Sequence, residues 1–251
     1  MNKTVHRSAL RLLYTLYAAA VFLLLALPAL VLLVLTPGVR RRRTLARAAA
    51  RAFLRATGLR LEVRHLDRLP SQTCVVVANH ASYLDGLVCM AALPPRFGFV
   101  IKREMRAVPL AGLLLRRIGS EFVERFNRHT GGADARRLLR AARGGECLGF
   151  FPEGTFTRER GVLKFHSGAF VVAARAGCQI VPIAIRGTRH VMPPGGLLLS
   201  PGKLVVEVLE PVAPDSLDCE TQAAKLRERA RSAIIDALGE PDLAAGATDT
   251  A

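Results

Sequence analysis

Tryptophan is absent from the 251 residues and tyrosine occurs three times. Base stacking has little aromatic surface to work with, so no nucleic-acid partner is expected. The five cysteines (Cys74, Cys89, Cys147, Cys178 and Cys219) are odd in number and widely scattered, with no C-x-x-C pair. Such spacing argues against a zinc site and against a disulfide framework; no metal is expected, and the thiols read as buried or inert. Acidic residues are few, with 20 Asp and Glu against 36 Lys and Arg and a formal charge of +16. That excess favours anionic partners: lipid headgroups, phosphorylated small molecules or, without the aromatic argument, nucleic acid. Half the residues are apolar, which is enough for one large domain with its own core and excludes wholesale disorder.

The apolar residues are unevenly spread. Leu12 to Leu35 is an almost unbroken apolar run. As one straight helix it extends about 36 Å, enough to cross a bilayer core with some tilt. A cleaved signal peptide has an apolar stretch of about 7–15 residues, shorter than this one, and here Arg40 to Arg43 follow at once. Lys3, Arg7 and Arg11 precede the run. One span would separate the two basic clusters; a re-entrant hairpin broken at Pro28 would keep both on one side. Either arrangement puts the remainder of the chain on the cytoplasmic face. Arg43, Arg47, Arg51 and Arg55 then recur every four residues, opposite Leu45, Ala48, Ala49, Ala52 and Ala56. This predicts a basic amphipathic helix, stopped by Gly58, lying against the anionic headgroups of membrane lipids; an ordinary solvated surface helix is the other reading.

Residues 1–58 therefore form a membrane-associated helical segment, 59–238 a main domain, and 239–251 a small acidic tail expected to fray. Within the main domain strand and helix signals alternate. Apolar β-branched runs fall at Leu61–Val63, Cys74–Ala78, Phe97–Ile101, Leu148–Phe151, Ile180–Ile185 and Leu204–Leu209. Helical patterns fall at Leu84–Ala92, Leu110–Ile118, Asp134–Ala142, Ser167–Ala176 and Thr221–Leu238. The expected fold class is α/β, a mixed, largely parallel sheet flanked by helices. Pro182, inside an apolar run, predicts an edge strand or a bulge.

Chemistry concentrates in two stretches. A buried-looking strand ends in Asn79-His80, and Asp85 follows. Five residues apart on one helix they would diverge by about 140°. They meet if His80 lies in the loop after the strand and Asp85 in the first turn of the next helix. Asp85 then fixes the imidazole tautomer, and the other ring nitrogen can take a proton from a substrate hydroxyl. A hydrogen-bonded structural histidine is the competing reading. So is a nucleophilic Ser82, although no G-x-S-x-G elbow surrounds it. The second stretch is Phe151-Pro152-Glu153-Gly154-Thr155-Phe156-Thr157-Arg158. Glu153 and Thr155 could bind hydroxyls, Gly154 permits close backbone approach, and Arg158 could hold a phosphate. A solvated turn fits equally well. Lys102 and Arg125 suit an anion pocket, or a solvated charged face.

Taken together the blocks resemble the glycerolipid acyltransferase family that includes 1-acylglycerol-3-phosphate acyltransferase. Asn79, His80 and Asp85 match its N-H-x-x-x-x-D block. Lys102, Glu104, Pro109 and Gly112, then Gly119, Phe122 and Arg125, match the second. Phe151 to Thr155 match F-P-E-G-T, and Val181 to Ile183 match V-P-I. The resemblance runs from about Leu59 to Pro211. It implies transfer of a fatty acyl chain from acyl-CoA or acyl-carrier protein to a lysophospholipid hydroxyl, most of all 1-acylglycerol-3-phosphate, in phospholipid biosynthesis. It implies His80 as general base and Asp85 as its partner. It also implies that Lys102, Arg125, Glu153, Gly154, Thr155 and Arg158 bind the acceptor's glycerol phosphate. No cofactor is implied beyond the acyl donor. The family often has arginine where this chain has Phe156, which leaves a lyso-aminolipid open as the acceptor. Outside the resemblance, a membrane-anchored protein that binds anionic lipid without catalysis also explains the charge and the anchor.

Overall fold

A computed structural model describes residues 2–124, 128–215 and 218–244. The chain opens with a helical hairpin, α1 (Asn2–Leu35) and α2 (Val39–Ala56). Contrary to the break allowed at Pro28, α1 is one continuous helix through that residue. A proline there forfeits one intrahelical bond, and the apolar turns on either side keep theirs. On α2, Ala46, Ala50, Phe53 and Leu54 are buried, a stripe at helical spacing. Phe53 meets Phe22 of α1 edge to face, with ring centroids 5.8 Å apart. Gly58 adopts φ +73, the left-handed conformation that ends the helix where the sequence predicts.

The arginine stripe of α2 divides, and this corrects the reading of it as a single headgroup-facing row. Each step of four residues turns about 40° around the helix, so four arginines cover about 120°. Arg43 is buried and donates to the carbonyls of Ile118 (2.8 Å), Gly119 (3.1 Å) and Arg96 (3.3 Å), and it pairs with Glu146. Arg47 donates to the carbonyls of Ala91 and Ala92. Arg55 is exposed. The inner half of the stripe thus clamps the hairpin to the main domain.

Among the described residues, seven strands form one sheet: β1 (Arg60–Arg64), β2 (Cys74–Ala78), β3 (Phe97–Lys102), β4 (Glu121–Val123), β5 (Cys147–Phe150), β6 (Gln179–Arg186) and β7 (Lys203–Val208). Their order is β1-β7-β6-β2-β5-β3-β4. Only the β6–β7 pair is antiparallel. The helices are α3 (Asp85–Ala92), α4 (Ala111–Arg117), α5 (Arg128–Arg143), α6 (Gly168–Ala176), the single turn α7 (Thr188–Val191) and α8 (Cys219–Leu238). β2 is buried at all five residues, as a parallel strand covered on both faces must be. Its alternate side chains divide the core. Val76 and Ala78 pack with α2 and α3, whereas Val75 and Val77 pack with α6 and α8.

β6 is interior, not an edge strand, so of the two expectations for Pro182 only the bulge holds. Ile183 pairs with Val208 and Ile180 with Val212. Three residues of the partner segment therefore oppose two of β6. The Pro182 carbonyl faces this bulge and accepts from Leu209 N at 2.9 Å. The missing N–H lies on the same irregular side, where no ladder bond is lost. Beyond Gly239 the chain docks back. Val162 N donates to the Pro241 carbonyl, Leu243 N to the Val162 carbonyl, and Arg231 pairs with Asp242.

Because β2, β5, β3 and β4 are parallel neighbours, all four end at the same edge of the sheet. The stretches that follow β2 and β5 carry His80 and Glu153, and Lys102 is the last residue of β3. Open α/β sheets place their ligand sites at that edge.

Candidate active site

Asn79 is the first residue past β2, and its buried amide fixes the strand end. Nδ2 donates to the Ile185 carbonyl at 3.0 Å, and Oδ1 accepts from Ile185 N at 2.7 Å. The next residue, His80, sits in the loop, and Asp85 opens α3. The two side chains meet as the spacing requires, with His80 Nδ1 2.8 Å from Asp85 Oδ2. Asp85 is fully buried, and the same oxygen accepts the amides of Ala81 (2.6 Å) and Ser82 (2.8 Å). Three donors thus converge on one oxygen. A carboxylate so held accepts from Nδ1–H and leaves the lone pair of the other ring nitrogen available.

The imidazole is framed by aromatic rings. Phe151 stacks on it at 4.5 Å, and Phe156 meets it edge-on at 4.5 Å. Tyr83, exposed, meets Phe156 in turn at 4.8 Å. The His80 side chain keeps 19% exposure, so it is neither sealed nor fully solvated. Ser82 is buried; its hydroxyl donates to the Met192 carbonyl at 2.8 Å and accepts from Leu84 N. That commits the hydroxyl to the loop's own architecture and removes the geometric basis for a serine nucleophile.

Glu153 lies in the turn after β5 and is buried. Its two oxygens accept from His80 N (2.6 Å) and Leu163 N (2.9 Å). Burial raises its carboxyl to about 7, against the opposite pull of those two amides. In this arrangement Glu153 braces the backbone that carries His80. Gly154 is buried with φ +74, a conformation that an L side chain at this turn would strain. Thr155 is exposed at the mouth of a cavity of about 560 Å³. Val100, Leu138, Phe150 and Val172 give that cavity its apolar lining, and Lys102, Glu124 and His166 supply polar groups. Phe151 belongs to both places, since it stacks on His80 and also lines the cavity.

His80 and Asp85 therefore meet directly, and Glu153 reaches the His80 backbone. Lys102, Glu153, Gly154 and Thr155 line the neighbouring cavity, which shares Phe151 with the histidine but is not lined by His80 or Asp85. Arg158 is exposed and leans over Gly195, where an added Cβ would come within 3.0 Å of its guanidinium. It does not line the cavity. Arg125 lies outside the described residues. Sequence reasoning passed over Arg189, which donates to the Thr157 and Glu159 carbonyls and so shapes the loop bearing Phe156 and Arg158. It also passed over the aromatic frame. Periodicity gives no signal for either, because both depend on loops far apart in the chain.

A family model described as Acyltransferase matches residues 60–186, half of the chain and the whole stretch from β1 to the end of β6. The lyso-ornithine lipid O-acyltransferase of Pseudomonas aeruginosa is 32% identical over 197 residues, which cover 70% of this chain and 74% of that protein. The chloroplastic 1-acyl-sn-glycerol-3-phosphate acyltransferase of Brassica napus is 29% identical over 172 residues, 66% of this chain and 50% of that one. The chain spans about half the length of the plant and algal relatives it matches. In fold it is similar to the crystal structure of the 1-acyl-sn-glycerophosphate (LPA) acyltransferase PlsC from Thermotoga maritima. The TM-score is 0.73 at 23% identity, over 92% of this chain and 96% of that one. The ordered blocks, the strand-end geometry that joins them and these matches have one reading: the chain belongs to the acyltransferase family.

Proposed function

We propose that the chain is a membrane-docked O-acyltransferase that esterifies a lysophospholipid hydroxyl, 1-acylglycerol-3-phosphate above all. The acyl donor is acyl-CoA or acyl-carrier protein. The observation that carries the reading is the 2.8 Å contact between His80 Nδ1 and Asp85 Oδ2 at the carboxyl end of β2. With Nδ1–H held by the carboxylate, Nε2 removes the acceptor's hydroxyl proton as the oxygen attacks the thioester carbonyl. The C–O bond forms, the C–S bond breaks, and the proton passes from Nε2 to the departing thiolate. This chemistry calls for no metal and no resident cofactor. Lys102 holds the acceptor's phosphate from the cavity wall, with Arg125 and Arg158 as further cations. Glu153 serves that site by fixing the His80 loop. The names of the plant and bacterial relatives support a lysolipid acceptor.

α1 and α2 dock the enzyme on a membrane with anionic headgroups, with the catalytic domain on the cytoplasmic face. The exposed apolar stripe of α1, including Leu13, Leu24, Val31 and Leu35, supports this reading. Purified His80→Ala is the test of catalysis, using labelled acyl thioester and lysophosphatidate. Turnover should fall at least about a hundredfold while thermal unfolding and vesicle binding stay unchanged. Normal turnover would overturn the assignment.

Phe156 favours a second acceptor. It puts an apolar edge against His80 where the resembling family often has arginine. A lyso-aminolipid without phosphate suits that wall, and the Pseudomonas relative carries such an acceptor in its name. Competition between lysophosphatidate and lyso-ornithine lipid for one acyl donor decides between them.

A further inference from the structure

Among the described residues after Gly58, large exposed apolar side chains are few: Tyr83, Met105, Val108, Leu110 and Leu197. Three of the five fall within one short segment. Every residue from Arg103 to Leu110 is exposed, an unusual run for a segment that is also well folded. A 3-10 turn occupies Arg103–Ala107. Ala111 N then closes onto the Pro109 carbonyl at 2.6 Å, around Leu110 at φ +59 and ψ −52. That is a tight γ-turn with a bulky residue at positive φ, a strained arrangement that the surroundings must impose. Gly112 secures it, since a Cβ there would lie 2.3 Å from the Arg106 carbonyl oxygen. The strain holds Leu110 outward, 57% exposed, instead of turning it into the core. Such outliers are maintained where they serve a site.

The segment continues the apolar face of α1. Pro109, Leu110 and Leu114 line one groove with Phe22, Leu27 and Leu30 of that helix. Its charges suit a lipid surface. Arg103 and Arg106 lie within it and Arg116 and Arg117 shortly after it, against Glu104 in the segment and Glu124, which pairs with Arg103 at 4.0 Å. Lys102, which lines the cavity beside the His80 loop together with Phe151 and Glu153, is the residue immediately before it.

We infer that Arg103–Leu110 is a second membrane-contact element, whose Met105, Val108 and Leu110 enter the headgroup–acyl boundary of an anionic bilayer beside α1. Two-point contact fixes the tilt of the domain on the membrane, which one helix lying in the plane leaves free. It also holds Lys102 and the cavity mouth at headgroup level, so an acceptor lipid reaches His80 without leaving the membrane. The inference rests on the membrane docking proposed for α1, and the following test separates the two.

The chain has no tryptophan, so Val108→Trp creates a sole indole. Leu24→Trp on the exposed face of α1 and Lys225→Trp on the outer face of α8 give two references. Each full-length variant is mixed with phosphatidylcholine–phosphatidylglycerol vesicles carrying brominated acyl chains. Val108→Trp and Leu24→Trp should both be quenched and blue-shifted, and Lys225→Trp should not. Quenching of Leu24→Trp alone overturns the inference and leaves the α1 reading intact. Quenching of neither overturns both. A blue shift of Val108→Trp that grows with protein concentration in the absence of vesicles makes the patch an interface between copies and also overturns it. Independently, Val108→Asp should weaken vesicle partitioning about tenfold; unchanged partitioning counts against the inference.

Discussion

One oxygen of Asp85 collects three donors, and the imidazole is only one of them. Asp85→Asn keeps the shape, but an amide NH2 in place of that oxygen would face three donors and could accept from none of them. The expected result is a kcat lower by about 10²–10⁴ with KM nearly unchanged; equal loss in both would point to a disturbed binding site. Glu153 is the other carboxylate with consequences. Its folded carboxyl is raised from 4.5 to about 7, so between those values the folded chain binds more protons than the unfolded chain. Its contribution to stability is complete below pH about 4.5 and is lost as pH climbs through about 7. Against Glu153→Gln, the wild-type unfolding free energy should therefore decline by up to about 3 kcal/mol over that window. Urea unfolding in detergent at stepped pH measures it, and parallel curves for the two proteins would refute it. At this scale the sequence was legible where partners are local. His80 and Asp85 are five residues apart, and one strand end plus one helix start brings them together. The bracing contacts of Glu153 were not legible, because its partners, the amides of His80 and Leu163, come from other loops that no spacing reveals.

Secondary structure was legible wherever apolar residues ran together or alternated, from the short Leu61–Val63 up to the longer helices, and this covers six strands. β4 escaped because it has three residues and borrows its pairing from β3. Pro182 was half legible, since a missing N–H demands an irregular neighbour but does not say that the neighbour is an edge. α2 shows the same limit and makes a prediction of its own. Its arginine spacing was plain, yet which of the four faces inward depends on carbonyls at the ends of α3 and α4. Arg43→Ala should destabilise the fold by about 2–3 kcal/mol, because it strands three carbonyls and Glu146. Arg55→Ala should cost less than about 1 kcal/mol in stability but weaken binding to anionic vesicles by about 1 kcal/mol. Thermal unfolding and vesicle flotation separate the two effects, and equal behaviour of both variants would deny α2 distinct inner and outer faces.

For the molecule as a whole, the length and apolarity of α1 are compatible with crossing a bilayer, but its attachments are not. Near its start, Arg11 donates to the Leu198 carbonyl at 3.1 Å and Thr15 accepts from Leu199 N at 2.9 Å. Tyr14 and Tyr17 donate to the Thr57 and Ala56 carbonyls. Near its end, Leu33 is buried with Ala46 and Ile118. A helix of this length, about 51 Å, is thus fastened to one domain at both ends. Crossing the hydrocarbon would tear the first set of fastenings away and leave those polar groups in lipid, at several kcal/mol each. Lying in the surface keeps them and still buries the exposed leucines. It also leaves Lys3, Arg7 and Arg11 on the same side as Arg40 to Arg43, whereas a span would divide the two basic clusters. Protease sites placed before Asn2 and after Ala251 should therefore be cut together in inside-out membrane vesicles and be protected together in right-side-out ones. Protection of one end alone in either preparation would establish a span, and the fastenings of Arg11, Tyr14, Thr15 and Tyr17 would then belong only to the protein away from the membrane.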